Sequence, residues 1–201
     1  AIDLSGDYRL HDVQVYERWY GHTHTDTENL QRAVYGLPEF FRDEIRGADL
    51  VANPGCYATS IILACAPLLK SGLVEEDVIV DAKSGTSGAG MVPSPRTHHS
   101  TCGESIIPYS VGNHRHTPEV EMAVDRVAGS HMNVTFVPQL IPIVRGILSS
   151  CYFRLKGDAT QEDIDEVYRA QYGGERFVHY VMDPSIRAVV GSLYKLIIVA
   201  L

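Results

Sequence analysis

Residues 51–60, VANPGCYATS, constrain this chain more than any other stretch. An apolar strand-like run enters Asn53, Pro54 sets the entry to a turn, and Gly55 removes side-chain bulk. A long apolar run, helical over 57–70 by composition and length, follows at once. Pro67 is expected to kink or shorten that helix. Cys56 therefore stands where a strand gives way to the start of a helix. Free N–H groups and the positive dipole end at such a start favour a thiolate. With Gly55 beside it, a substrate can approach the sulfur. A nucleophile needs this setting; a core cysteine does not.

The remainder reads as strands with interspersed helices and no repeat. Residues 2–4 are expected to form a short buried strand, and DYRLHDVQVYERWYG a loop with one helical turn. Residues 22–39 have a helix-like centre and then a Gly-Leu-Pro turn, and 40–53 give a short helix, a glycine break and a strand. VEEDVIVDAKSG is a strand that ends in a glycine-rich turn, and 91–113 is a long loop. HTPEVEMAVDRVAG is a helix capped by Thr117, with Glu119 and Glu121 favouring its positive end. NVTFVPQLIPIVRGILSSCYFRL is a strand pair or one bent strand. ATQEDIDEVYRAQYGG is an amphipathic helix with a threonine cap and a glycine stop. Short strands follow around FVHYV, AVVGS and LIIVA. This pattern predicts an α+β domain with a mixed sheet.

A nucleophilic cysteine wants an acid/base, and GNHRHTPE offers His114 and His116 on either side of Arg115. SGTSGAG, from Ser84 to Gly90, follows a strand, and its backbone N–H groups would be open to a phosphate or amide. The close histidine pairs 22/24, 98/99 and 114/116 lack helical metal-ligand spacing and no cysteine pair joins them, so no metal site is expected. A net charge of −8 excludes a general nucleic-acid binder. No apolar stretch is long enough for a membrane helix. Four cysteines without CxxC spacing, and no secretion signal, predict reduced thiols and a cytoplasmic location. The chain opens in one strand-like run, AIDL, and closes in another, KLIIVAL, which reads as part of a longer protein.

IDLSGDYRL, YGLPE, VANPGCYATSIILACAP, KSGTSGAG, GNHRHTPE and VPQLIPIVRGI occur in the order seen in the N-acetyl-γ-glutamyl-phosphate reductases, and the chain resembles their catalytic and dimerisation domain over residues 1–201. The family's Rossmann NADP-binding domain has no counterpart here, so no turnover is expected from this stretch alone. The resemblance implies a mainly antiparallel mixed sheet with helices on one face, like the C-terminal domain of glyceraldehyde-3-phosphate and aspartate-semialdehyde dehydrogenases. It implies a homo-oligomer, dimer or tetramer, joined through the other face. It implies Cys56 as the nucleophile that displaces phosphate from a small acyl phosphate. The thioester then accepts hydride, with His114 as acid/base and His116 as the competing assignment. Ser5, Arg9, Arg115, His116 and Arg145 become candidate substrate contacts. Ser84, Gly85, Ser87, Gly88, Ala89 and Gly90 become the wall on the nicotinamide side of NADP. A sister reductase of lysine biosynthesis, acting on a carrier-bound acyl phosphate, and a non-catalytic dimerisation module are the alternatives.

Overall fold

The computed structural model describes residues 1–181 and 196–198. The strand expected around AVVGS lies outside them. Three short parallel strands come first: β1 (Ile2–Asp3), β2 (Val34–Tyr35) and β3 (Val51–Ala52), in the order β1-β3-β2. Ile2, in the edge strand β1, and Leu4, just after it, are both exposed. The expectation of a buried strand is corrected there. The stretch read as loop with one turn holds an 8-residue helix, α1 (Val13–Tyr20). Asp12 accepts from the N–H groups of Gln14 and Val15, and Gly21 closes the helix at φ 76°. Next come α2 (Thr27–Arg32), capped by Asp26, and α3 (Pro38–Arg46), with its proline in the first turn.

The second sheet is built on β4 (Asp77–Ser84), with order β5-β6-β4-β7. Here β5 is Ile107–Pro108, β6 is Asn133–Leu140 and β7 is Ile147–Tyr152. β6 runs parallel to β4, while β7 on β4 and β5 on β6 are antiparallel. The expectation of a mixed, mainly antiparallel sheet is borne out here, and the small parallel sheet adds to it. β6 and β7 do not form the expected strand pair. Each lies on a different side of β4, because the 141–146 link crosses the end of β4, where Ile141 N–H donates to the Ser84 carbonyl at 2.9 Å. Val78, Val80, Ala82 and Ser84 alternate inward, while Ile79, Leu148 and Tyr152 stand exposed on the opposite face.

The inner face is covered by α4 (Cys56–Ser71), with α6 (His116–Ala128) and α7 (Gln161–Tyr172) packed on α4. A four-residue helix, α5 (His99–Cys102), interrupts the long loop. A parallel pair, β8 (Val178–Tyr180) and β9 (Leu196–Ile198), completes the described elements. Ten of the 16 residues of α4 are buried, so it forms the centre of the core. α7 starts as expected at Thr160, which makes a reciprocal capping box with Asp163.

Pro67 does not shorten α4, which runs unbroken to Ser71. Its missing N–H deprives the Leu63 carbonyl of a helical donor. The Tyr172 hydroxyl donates to that carbonyl instead, at 2.6 Å, and the Tyr168 hydroxyl donates to the next one, on Ala64, also at 2.6 Å. Both helices are thus fastened through the proline's gap. Tyr172→Phe leaves a buried carbonyl without a donor, and urea unfolding is expected to show a loss of about 1–3 kcal/mol. A loss near zero would mean that the carbonyl finds another donor.

Candidate active site

β3 ends at Ala52, and the turn Asn53-Pro54-Gly55 delivers Cys56 as the first residue of α4. Gly55 has φ −65° and ψ 152°, which any residue can adopt. Glycine is required for space instead. A Cβ there would lie 2.3 Å from His116 Nε2 and 2.7 Å from Cδ2 and Cε1 of the same ring. The imidazole therefore rests on the backbone immediately before the cysteine. Gly55 N–H donates to Glu119 Oε1 at 2.7 Å, and the Gly55 carbonyl accepts from Thr59 N–H and Oγ1.

Cys56 is exposed as a residue, yet the protein crowding its sulfur desolvates it. That desolvation is the largest influence and pushes the thiol pKa up. The N–H groups of Tyr57 and Cys56 pull it down, the Glu119 carboxylate pushes it up, and Arg9 pulls it down. The helix-start argument predicted the opposite direction. The N–H groups are present, but burial outweighs them. Iodoacetamide alkylation against pH is expected to give Cys56 a half-point above the free-thiol value of about 8.5. A half-point below that value would restore the helix-start reading.

α6 begins without a side-chain cap from Thr117, which sits one residue into the helix with its buried Oγ1 unpartnered. His114 takes that role. Its Nδ1 accepts from the His116 N–H at 3.1 Å, so the proton of the neutral ring is on Nε2. Around it stand Phe136, Tyr109 and Tyr57, with ring centroids 5.1, 5.6 and 5.8 Å away. His114 and His116 are 4.7 Å apart by centroids. Burial, then Arg115, lowers the His114 pKa to about 4. Burial, then His114, Arg9 and Arg115, lowers that of His116 to about 3. His116 Nε2 is 4.0 Å from Glu119 Oε2, an ion pair only if the ring is protonated. Burial and the neighbouring cations keep both rings neutral at neutral pH.

This has a consequence for stability. Below the unfolded histidine value of about 6.5 the unfolded chain binds protons that the folded chain refuses. The stabilisation from neutral burial is full above about pH 6.5 and is lost as pH falls toward 4. Urea midpoints should therefore fall from pH 7 to pH 5, and fall less in His116→Gln. Parallel midpoints in the two proteins would refute the buried neutral state.

Of the two candidate acid/base residues, His116 is the one laid against the nucleophile's turn; His114 stands behind it, holding the start of α6. Arg9 is 8% exposed and turned inward. Its Nε donates to the Asn53 carbonyl at 2.8 Å, Nη1 to Glu119 Oε2 at 3.4 Å and Nη2 to the Leu4 carbonyl at 3.5 Å. Ser5 is exposed, and its hydroxyl closes a turn between Asp3 and Asp7. Arg115 is exposed, with its guanidinium 5.4 Å from the Tyr20 ring centroid. Arg145 is also exposed, in the turn facing Gly85.

The N–H groups of the 84–90 segment are not open, as the sequence led us to expect. Those of Gly85, Thr86 and Ser87 donate to the carbonyls of Gly146, Ile143 and Val144 at 2.9–3.0 Å. The 141–146 turn has taken the place of a phosphate. Ser84 is buried, and a Cβ on Gly88 would lie 2.7 Å from its hydroxyl. The exposed backbone from Ser87 to Gly90 carries only small side chains. With its amides already paired, the loop does not fit a pyrophosphate.

From sequence, Glu119 is only a charge that favours the positive end of a helix. It is 0% exposed and joins elements far apart in sequence: Gly55, Arg9 and Tyr35, whose hydroxyl donates to Oε1 at 2.8 Å. Tyr57 and Tyr109 were missed as well; their hydroxyls are 3.4 Å apart, and Tyr57 in turn donates to the Gln139 carbonyl. No local pattern marks any of the three.

Residues 56–201 match the profile described as semialdehyde dehydrogenase, dimerisation domain. Curated relatives named N-acetyl-gamma-glutamyl-phosphate reductase include one from Pelotomaculum thermopropionicum, 51% identical over 195 residues, covering 95% of this chain and 56% of that protein. Another, from Symbiobacterium thermophilum, is 48% identical over 198 residues, covering 96% of this chain and 57% of that protein. The chain thus spans about half the length of the curated relatives it matches. Among solved structures, an aspartate semialdehyde dehydrogenase from Francisella tularensis superposes with a TM-score of 0.64 at 14% identity, over 92% of this chain and 58% of that one. Aspartate semialdehyde dehydrogenase II from Vibrio cholerae gives 0.61 at 12%, over 90% and 64%. At those identities the likeness is one of fold. With a profile match running through α4, the second sheet, α6 and α7, and with relatives about half identical along nearly its whole length, the chain belongs to the semialdehyde dehydrogenase dimerisation-domain family.

Proposed function

We propose that this chain supplies the nucleophile and the acid/base of an N-acetyl-γ-glutamyl-phosphate reductase, which converts an acyl phosphate to the semialdehyde. The observation that carries the reading is the His116 ring lying on Gly55, immediately before an accessible cysteine at a helix start. A neutral imidazole lying on the residue before a thiol carries a ring nitrogen that can take the thiol proton as the sulfur attacks. His116 takes the proton of Cys56 as the sulfur attacks the acyl carbon. The bond from carbon to the phosphate oxygen breaks, and phosphate leaves, taking a proton from solvent. A thioester remains on Cys56.

NADP in its reduced form would supply two electrons as hydride, with the small-residue surface from Ser87 to Gly90 as one wall beside its ring. The tetrahedral adduct on Cys56 then collapses. The carbon–sulfur bond breaks, the aldehyde leaves, and the sulfur regains the proton held by His116. Exposed Arg115 and Arg145 are the cations offered to the substrate's carboxylate and phosphate, with Ser5 at the edge. Arg9 would act on substrate only indirectly, through the turn it holds. The exposed sheet face of Ile79, Leu148 and Tyr152 would join two copies of the chain.

Acyl transfer to sulfur needs no cofactor, so the chain can be tested as it is. Incubated with N-acetyl-γ-glutamyl phosphate, it is expected to carry a hydroxylamine-labile acyl group on the Cys56 peptide. An adduct spread equally over Cys56 and Cys102, or none at all, would sink the proposal.

A further inference from the structure

The Asn-Pro-Gly turn ahead of Cys56 has polar backbone groups at both ends, and a buried ion pair takes both. Arg9 Nε holds the Asn53 carbonyl at 2.8 Å, and Glu119 Oε1 holds the Gly55 N–H at 2.7 Å. Arg9 and Glu119 are themselves paired at 3.4 Å, with side chains 9% and 1% exposed. Among the described residues, Glu119 accepts every hydrogen bond it makes: from Gly55, from Tyr35 and from Arg9. Such a set matches a carboxylate. The groups facing it come from every element around it: Arg9 after β1, Tyr20 of α1, Tyr35 of β2, the Cys56 thiol of α4 and His116 of its own helix.

A buried ion pair contributes little net stability against an apolar pair of the same size. Its value here is geometric. The carboxylate grips the nucleophile's turn through one oxygen and stands 4.0 Å from the imidazole through the other. We propose that Glu119, clamped to Arg9, is a positioning residue that holds the Cys56 turn and the His116 ring in one fixed arrangement. This rests on the Cys56–His116 reading above.

The test needs neither substrate nor cofactor, so it fails separately from acyl transfer. Cys56 alkylation is followed against pH, and exchange of the Gly55 amide proton by NMR, in Glu119→Gln and Glu119→Asp. Glu119→Gln removes a negative neighbour of the sulfur and leaves Arg9. The alkylation half-point should fall, with about tenfold faster alkylation at neutral pH. Glu119→Asp keeps the charge but is one methylene too short for the Gly55 N–H. Its half-point should return toward that of the unsubstituted chain while the Gly55 amide exchanges at least about tenfold faster. A residue that merely fills space would move neither quantity. Folded variants with unchanged half-point and unchanged Gly55 exchange would overturn the proposal. Loss of the fold in both would make Glu119 a folding residue and overturn it as well.

Discussion

Cys56→Ser is expected to abolish the acyl adduct and, in the protein with its cofactor bound, to cut turnover by at least about a thousandfold. The sulfur is the atom that must bond to the acyl carbon. A serine hydroxyl in its place keeps the helix start but has a far higher pKa, and the neutral imidazole of His116 is too weak a base to compensate. Because Cys56 is exposed, the replacement should leave the melting temperature unchanged within error. The check is a mass spectrum of the acylated chain beside steady-state rates. Full activity in the serine protein would remove the thioester from the mechanism.

Gly55→Ala should cost roughly a hundredfold in turnover through geometry alone. The new methyl would sit 2.3 Å from His116 Nε2, so either the ring or the turn must give way. The ring cannot easily retreat. It is packed toward Tyr57 and His114, at centroid distances of 6.2 and 4.7 Å, and its helix is anchored in the core. Overpacking of this kind costs about 1–3 kcal/mol of stability. Moving an acid/base by about 1 Å costs roughly a hundredfold in rate. Urea unfolding and turnover should therefore both fall, while Cys56 stays open to iodoacetamide. Unchanged turnover would show that His116 does not act from this position.

Much of this arrangement could be read from neighbouring residues. Strand, Asn-Pro-Gly and helix placed Cys56 at the start of α4. Thr160 and Gly173 marked the ends of α7, and the alternation in DVIVDAKS marked β4. Asp12 and Gly21 carried the same kind of signal for α1, and it was overlooked among the aromatics. Caps, turns and periodicity depend on groups three or four residues apart, so the chain states them directly.

What folding alone decided belongs to groups far apart in the chain. Glu119 meets Gly55, Tyr35 and Arg9 across separations of 64, 84 and 110 residues. The amides of the 84–90 loop were claimed by carbonyls of 143–146, and β4 took the place between β6 and β7. The preference for His116 over His114 came from which ring lies on Gly55, and both belong to one tripeptide. The direction of the Cys56 shift followed from how closely the fold packs around its sulfur. Desolvation and long-range hydrogen bonds depend on what closes over a group in three dimensions, and that has no signature in the residues beside it.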